Sequence, residues 1–209
     1  QAAAIMPSAC ALALVKCRDL LIFDGTHCSS KYGGILLVVT TVDADESNLV
    51  LAWAIVPTES KDWWEWFLEV IVSNLTTFGR DEDDVRKFAI ITDRGKGLVP
   101  AITKYFPGSW HYYCTWHLGE NVDDRYNNTV TSKFKQMCRV TSKREFQAFL
   151  EEIRTIDPEA AKYIEDIDDG IFGRWATAYA PSDEFARYGH TTSGVGESIN
   201  SRFLDERKK

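Results

Sequence analysis

Apolar residues in the first third of the chain form short runs separated by polar or glycine-containing segments. The runs cover residues 20–23, 35–42 and 49–56, and several of their members are β-branched. Short apolar runs bounded by turn residues are typical of strands. Because the connections between them are short, we predict an antiparallel meander, with turns at residues 24–26 and 43–48.

The period of the pattern changes after Pro57. Ser60 is a suitable N-cap for a helix that Gly79 would end, and the apolar residues that follow Ser60 have helical spacing. They are Trp63, Trp64, Phe67, Leu68 and Ile71. A buried strand at 88–92, a short helix at 97–106 and a strand at 109–113 follow. The predicted order is therefore β-β-β-α-β-α-β and then a helix, an α/β fold with a mixed sheet.

Residues 118–190 have helical patterns and few strand candidates. Ser142 and Glu145 fit a capping box, and Asp157-Pro158 fits an N-cap followed by an N1 proline. The pattern of residues 191–204 predicts a last amphipathic helix with Val195, Ile199 and Phe203 on one face. We predict an N-terminal flank at 1–19, the first part of a core at 20–117, an all-helical insertion at 118–190 and a final core helix at 191–209.

Charge and cysteine content limit the function. The chain has 24 Lys and Arg residues against 31 Asp and Glu residues, a formal net charge of −7. An acidic chain binds nucleic acid weakly unless basic patches or metal ions assist it, since phosphate affinity depends mainly on Lys and Arg. The five cysteines are scattered and indicate a reducing, intracellular location. The apolar runs are too short to span a bilayer.

Two aspartates have the position expected of a reaction centre. Asp24 and Asp93 each follow a buried run and precede a glycine-containing turn. If their strands are parallel neighbours, both carboxylates enter one cleft, where they repel unless a proton or a cation lies between them. Carboxylate oxygens suit Mg²⁺ or Mn²⁺, and such a pair favours displacement at phosphorus. Either aspartate alone is more simply explained as a turn former or helix cap.

Cys114 and His117, with His111 three residues earlier, have metal-like spacing. Thiolate and imidazole groups suit zinc, but a closed zinc site needs four ligands. The sequence has no evident second pair, so the role of this motif stays open.

Several short motifs occur together in one order. Asp24-Gly-Thr-His27 precedes Lys31-Tyr-Gly-Gly34, and the later motifs extend to the last helix. They are Ala54-Ile-Val-Pro57 with the tryptophan-rich segment 63–67, Thr92-Asp-Arg-Gly95, Cys114-Thr-Trp-His117, and Thr191-Thr-Ser193 with Glu197, Ser198 and Asn200. Over residues 20–204 the chain resembles the catalytic domain of Mutator-like (MULE) transposases.

This resemblance implies a ribonuclease-H-like fold with a DDE triad, interrupted by a helical insertion before the last acid. Asp24 and Asp93 correspond to the first two acids, and Glu197 is the best match for the third, with Glu120 and Glu184 as competitors. The triad would bind Mg²⁺, or Mn²⁺ in its place. The resemblance also places five residues near the cleft or the DNA: His27, Arg94, Cys114, His117 and Asn200.

The implied activity is metal-dependent hydrolysis and strand transfer at transposon ends in the nucleus. The partners would be transposon-end and target DNA and further copies of the chain, with no membrane or small-molecule substrate. The alternatives are a domesticated, non-catalytic DNA-binding regulator and a nuclease acting on RNA–DNA hybrids. Trp175 is a candidate DNA contact. The basic residues between 133 and 144 form either a phosphate-facing surface or a solvated helix face.

Overall fold

The structure, a computed structural model, describes residues 2–28, 33–78, 87–95, 97–181 and 185–193 of the chain. The contacts divide the chain into two compact units. Unit 1 contains the described residues up to His111, together with 185–187 and Ser193. Unit 2 contains the described residues within 112–184 and 188–192.

Unit 1 has the predicted order of strands and helices, preceded by three further elements. Sequence analysis missed these elements, which are β1 (Ala3–Ile5), α1 (Ser8–Ala13) and a 3-10 helix, Leu14–Lys16. The others, in chain order, are β2 (Leu20–His27), β3 (Ile35–Val42), β4 (Asn48–Val56), α2 (Lys61–Thr77), β5 (Ala89–Thr92), α3 (Leu98–Tyr105) and β6 (Trp110–Tyr113), which runs on into unit 2.

Among the described residues the strands form one mixed six-stranded sheet in the order β1-β4-β3-β2-β5-β6. Strand β2 pairs with β3, and β3 with β4, both antiparallel, which confirms the predicted meander. Strand β1 adds to β4 in the antiparallel sense. Strands β2 and β5 are parallel neighbours, the arrangement on which the two-aspartate hypothesis depends.

The predicted turn at residues 24–26 is wrong, because β2 continues through it to His27. Asp24 pairs with Val38, Gly25 with Leu37 and Thr26 with Leu36 of the neighbouring strand. Local turn preference is weak compared with the hydrogen bonds and packing that an adjacent strand supplies. Asp24 therefore lies within β2, beyond the last residue of β2 that pairs with β5.

The core of unit 1 lies between one face of the sheet and α2. Ser60 is the N-cap of α2, as predicted, and its side chain accepts a hydrogen bond from the main-chain N–H of Trp63. Trp64, Phe67, Leu68 and Ile71 are fully buried, and each such side chain stabilises the fold by roughly 1.5–3 kcal/mol. Lys104 of α3 donates to Glu65 of α2 at 2.5 Å, and this bond lowers the pKa of the Glu65 carboxyl.

The described elements of unit 2 after β6 are helical. They are α4 (Thr115–Asp123), α5 (Asn128–Met137), α6 (Lys143–Ile156), α7 (Pro158–Glu165) and three short 3-10 helices, Ile167–Gly170, Phe172–Arg174 and Thr177–Tyr179. Trp175 is fully buried against Phe134, Phe146 and Phe172. It is therefore a core residue, and its assignment as a DNA contact is wrong. The boundaries predicted for the helical insertion stay a prediction.

Two helix N-termini in unit 2 differ in a way that a stability measurement can detect. The carboxylate of Asp157 accepts from the main-chain N–H groups of Glu159 and Ala160 at 3.0 Å, whereas Ser142 makes no side-chain capping bond. The capping box predicted at Ser142 is thus absent. We expect Asp157→Ala to lower the free energy of unfolding by about 1 kcal/mol and Ser142→Ala to lower it less. Urea denaturation of both variants measures this difference, and equal losses would contradict it.

Candidate active site

The parallel pairing of β2 and β5 relates the positions of Asp24 and Asp93. Leu20 of β2 pairs with Ala89 of β5, and the pairing ends at Ile22 and Ile91. Asp24 is the second residue after Ile22 and is still part of β2, whereas Asp93 is the second residue after Ile91 and directly follows the end of β5. Both aspartates therefore lie at the same edge of the sheet, just beyond the paired part of two neighbouring strands, which are roughly 4.8 Å apart.

The two aspartates differ in exposure. The side chain of Asp24 is buried, with 8% exposure, whereas Asp93 is half-buried. Removing a carboxylate from water is costly unless positive charge or hydrogen bonds compensate it. A second carboxylate at the same level adds repulsion. A bound cation would relieve the repulsion between the two carboxylates, and oxygen ligands of this kind fit Mg²⁺.

A tight turn fixes Asp93 just beyond the end of β5. The main-chain N–H of Gly95 donates to Oδ1 of Asp93 at 2.9 Å. A Cβ atom on Gly97 would lie 2.5 Å from the main-chain nitrogen of Lys61 and 2.8 Å from the carbonyl carbon of Ser60. The turn therefore packs directly on the backbone at the start of α2, and only glycine fits at position 97.

A further carboxylate lies next to this turn. Oε1 of Glu59 accepts a hydrogen bond from the indole N–H of Trp64 at 3.1 Å. If Gly25 carried a Cβ atom, Oε1 of Glu59 would lie 3.3 Å from it. A Cβ atom on Gly95 would lie 3.4 Å from the same Glu59 oxygen and 3.0 Å from Oδ1 of Asp93. The glycines that follow the two aspartates thus leave space for Glu59.

Sequence analysis missed Glu59. The residue has no place in an apolar pattern, and its neighbours suggest only a loop between Pro57 and the cap Ser60. The available signal was the pair of glycines, each one or two residues beyond an aspartate, because paired glycines at neighbouring strand ends indicate close approach of another group.

The other predicted site residues lie in several parts of the structure. His27 is exposed at the end of β2, and Arg94 is exposed next to Asp93. Cys114 is buried at the N-cap of α4, and His117 lies within that helix; both belong to unit 2. Asn200 lies outside the described residues.

The third acid is not decided by the structure. Glu197 and its competitor Glu184 both lie outside the described residues. Glu120 belongs to α4 in unit 2, where its carboxylate lies 3.6 Å from Nζ of Lys135. Within the part of the chain that the structure describes, no group of three or more His, Cys, Asp or Glu residues is arranged to hold a metal. The assignment of Glu197 stays a prediction.

Part of the basic stretch between residues 133 and 144 is already paired inside unit 2. Nζ of Lys133 lies 2.5 Å from the carboxylate of Glu152. Lys135 interacts with Glu120 and lies 4.9 Å above the ring of Trp116, while Lys143 lies 5.1 Å above the ring of Tyr179. These contacts favour the solvated helix face over a dedicated phosphate-binding surface.

Part of the chain matches a known protein family. Residues 20–121 match the family model described as the MULE transposase domain. The resemblance is confirmed over these residues. They include Asp24, Asp93, the Cys114–His117 motif and Glu120, and they end before Glu184 and Glu197. No curated protein matches the chain.

The MULE transposase match indicates a transposase-related function and agrees with the structure of unit 1. The matched segment runs from β2 to α4 and therefore contains the two parallel strands that carry the aspartates. Among the described residues, no helix has both the length and the apolar character needed to cross a membrane.

Proposed function

We propose that this chain is the catalytic core of a DDE-type DNA transposase that hydrolyses DNA phosphodiesters at transposon ends and joins them to target DNA. The observation that carries this proposal is the parallel pairing of β2 and β5 inside the MULE match, because Asp24 and Asp93 each come two residues after the last paired residues, Ile22 and Ile91. The order β-β-β-α-β-α-β of that segment supports a ribonuclease-H-like fold. The family match supports DNA as the partner, and we place the protein on DNA in the nucleus as a homo-oligomer.

In this proposal Asp24, Asp93 and Glu197 hold Mg²⁺ or Mn²⁺. Such an ion, when bound, makes water acidic enough to act as a nucleophile and stabilises charge on the phosphate oxygens. Asp24 contributes a buried carboxylate from a position of β2 that is paired with β3, and Asp93 contributes one that accepts a hydrogen bond from the N–H of Gly95. Fixed carboxylates of this kind need little reorganisation during the reaction.

The proposed chemistry needs no covalent bond between protein and DNA. Water attacks phosphorus, the bond to the 3′ oxygen breaks, and the products are a 3′-hydroxyl and a 5′-phosphate. The freed 3′-hydroxyl then attacks a target phosphodiester, and the target's own 3′ oxygen leaves with a proton. Both steps are displacements at phosphorus, which the same pair of carboxylates can serve.

A crystal soaked in Mn²⁺ tests the proposed site by anomalous scattering. We expect a peak between the carboxylates of Asp24 and Asp93, and the third protein ligand will decide between Glu197, Glu184 and Glu120. Crystals of Asp24→Asn soaked in the same way are the control and should have a much weaker peak. No Mn²⁺ at wild-type Asp24 and Asp93, with these groups paired to Lys or Arg, would favour the non-catalytic regulator.

A further inference from the structure

A buried histidine lies beside the strand end that leads into Asp93. His111 is the second residue of β6 and is only 5% exposed. Its Nε2 atom lies 2.7 Å from the hydroxyl oxygen of Thr92. Thr92 is fully buried, ends β5 and directly precedes Asp93. All three residues belong to unit 1.

The hydrogen bonds of Thr92 fix the direction of the contact with His111. The Thr92 hydroxyl also donates to the main-chain carbonyl oxygen of Asp93. A carbonyl oxygen can only accept, and a threonine hydroxyl has one proton to donate. That proton is therefore used in the bond to Asp93. The bond between Thr92 and His111 must take its proton from the ring, which requires a protonated Nε2 atom on His111.

These bonds hold Asp93 from two sides. The hydroxyl of Thr92 binds its main-chain carbonyl oxygen, and the N–H of Gly95 binds its carboxylate at 2.9 Å. We propose that His111 is a positioning residue: its Nε2–H group orients the Thr92 hydroxyl, which fixes the peptide unit at Asp93 and so aims the carboxylate. That the aimed carboxylate binds a divalent cation rests on the proposed function.

A role in packing alone does not account for this arrangement. A buried imidazole is costly unless its polar atoms are bonded, and an apolar side chain of similar size would fill the same space at lower cost. The bond at Nε2 instead links His111, through the Thr92 hydroxyl, to the main chain of Asp93. Partners that orient a metal-binding carboxylate typically change metal affinity or activity by roughly 10- to 100-fold when they are removed.

The first test does not depend on activity. A long-range ¹H–¹⁵N spectrum of the wild-type protein should identify His111 as the Nε2–H tautomer. In Thr92→Val this histidine signal should shift, and the Gly95 amide should exchange with solvent faster. Thr41→Val is the matched control, since Thr41 is a buried strand threonine whose hydroxyl donates to the carbonyl oxygen of Arg18 at 3.2 Å. It should leave both signals unchanged. An Nδ1–H tautomer at His111 would overturn the proposal.

The second test measures Mn²⁺ affinity by calorimetry and DNA nicking by kinetics. Relative to wild type, His111→Leu and Thr92→Val should each lose roughly 10- to 100-fold in Mn²⁺ affinity or in kcat, with KM for DNA unchanged. His111→Gln keeps an N–H donor and should therefore retain most of the Mn²⁺ affinity and kcat that His111→Leu loses. When Thr92→Val is already present, adding His111→Leu should cause little further loss of Mn²⁺ affinity or kcat, because Thr92 and His111 act through the same hydrogen bond.

The outcomes separate this inference from the function on which it rests. If wild-type protein binds no Mn²⁺, the proposed function fails. The positioning role of His111 is then tested only by its tautomer and by the exchange rate of the Gly95 amide. If wild type binds Mn²⁺ and His111→Leu binds it equally well, the function stands and the positioning role is wrong. If His111→Leu does not fold, the Mn²⁺ affinity and kcat of Thr92→Val and His111→Gln test the positioning role instead. Equal losses of affinity or kcat in those two variants would also overturn that role.

Discussion

Replacing Asp24 by asparagine is expected to abolish DNA cleavage and to leave the fold at least as stable as before. Asparagine has nearly the same size as aspartate, so the pairing of Asp24 with Val38 in the sheet is kept. The negative charge is lost, and with it the attraction for a divalent cation. We expect cleavage to fall by about 10³-fold or more, equivalent to roughly 4 kcal/mol of activation free energy.

Stability should move in the opposite direction from activity. Asp24 is buried, and Asp93 follows the end of the neighbouring parallel strand. Two carboxylates at one edge of the sheet repel each other when both are charged, and asparagine at position 24 removes that repulsion. Without metal, the unfolding free energy of Asp24→Asn should therefore equal or exceed that of wild type. With Mn²⁺ present, wild type should gain stability through binding, and the variant should gain much less.

Plasmid nicking in Mn²⁺ and thermal unfolding with and without Mn²⁺ measure these effects. Asp19→Asn is the matched control, because Asp19 is exposed and directly precedes β2, at the end of the strand away from the site. It makes the same change of charge and should nick DNA like wild type. Normal cleavage by Asp24→Asn would falsify the assignment of this carboxylate. Absence of nicking by every protein, wild type included, would instead favour the domesticated regulator.

The sequence predicted most of unit 1 because its strands and helices have strong local patterns. The strand β3 has the predicted bounds, and α3 and β6 differ from prediction by one residue at most at each end. Strand β1 was missed because its three residues become a strand only by pairing with β4. That pairing joins Ala3 to Ile55, and no local pattern can reveal a partner so distant in the chain.

The sequence predicted the strand ends on which the candidate site depends. The required parallel pairing of β2 and β5 is confirmed, although β2 runs beyond its predicted end, and the joint role of Asp24 and Asp93 stays a prediction. Glu59 and His111 could not be placed, since their roles depend on contacts with Trp64 and Thr92. Buried polar contacts of this kind follow from how strands and helices pack, which the sequence pattern does not specify.

Replacing Gly97 by alanine is expected to cause the largest loss of stability among simple changes near the site. The added Cβ would lie 2.5 Å from the main-chain nitrogen of Lys61, and backbone atoms cannot move aside as a flexible side chain can. Either the main chain at Gly97 or the start of α2 must shift. Overpacking of this kind costs roughly 1–3 kcal/mol, and we expect the upper end of that range because the contacts are with main-chain atoms.

Gly119→Ala provides a matched control, because an added Cβ there would lie 2.6 Å from Cε of Lys135, the movable end of a side chain. Gly119 is inside α4, where alanine is favoured over glycine by roughly 0.5–1 kcal/mol. The same substitution should therefore stabilise the protein at position 119 and destabilise it at position 97. Urea denaturation measures both, and equal effects would contradict the close packing at Gly97. Since the displaced turn also holds Asp93, Gly97→Ala should reduce Mn²⁺ affinity as well, whereas Gly119→Ala should not.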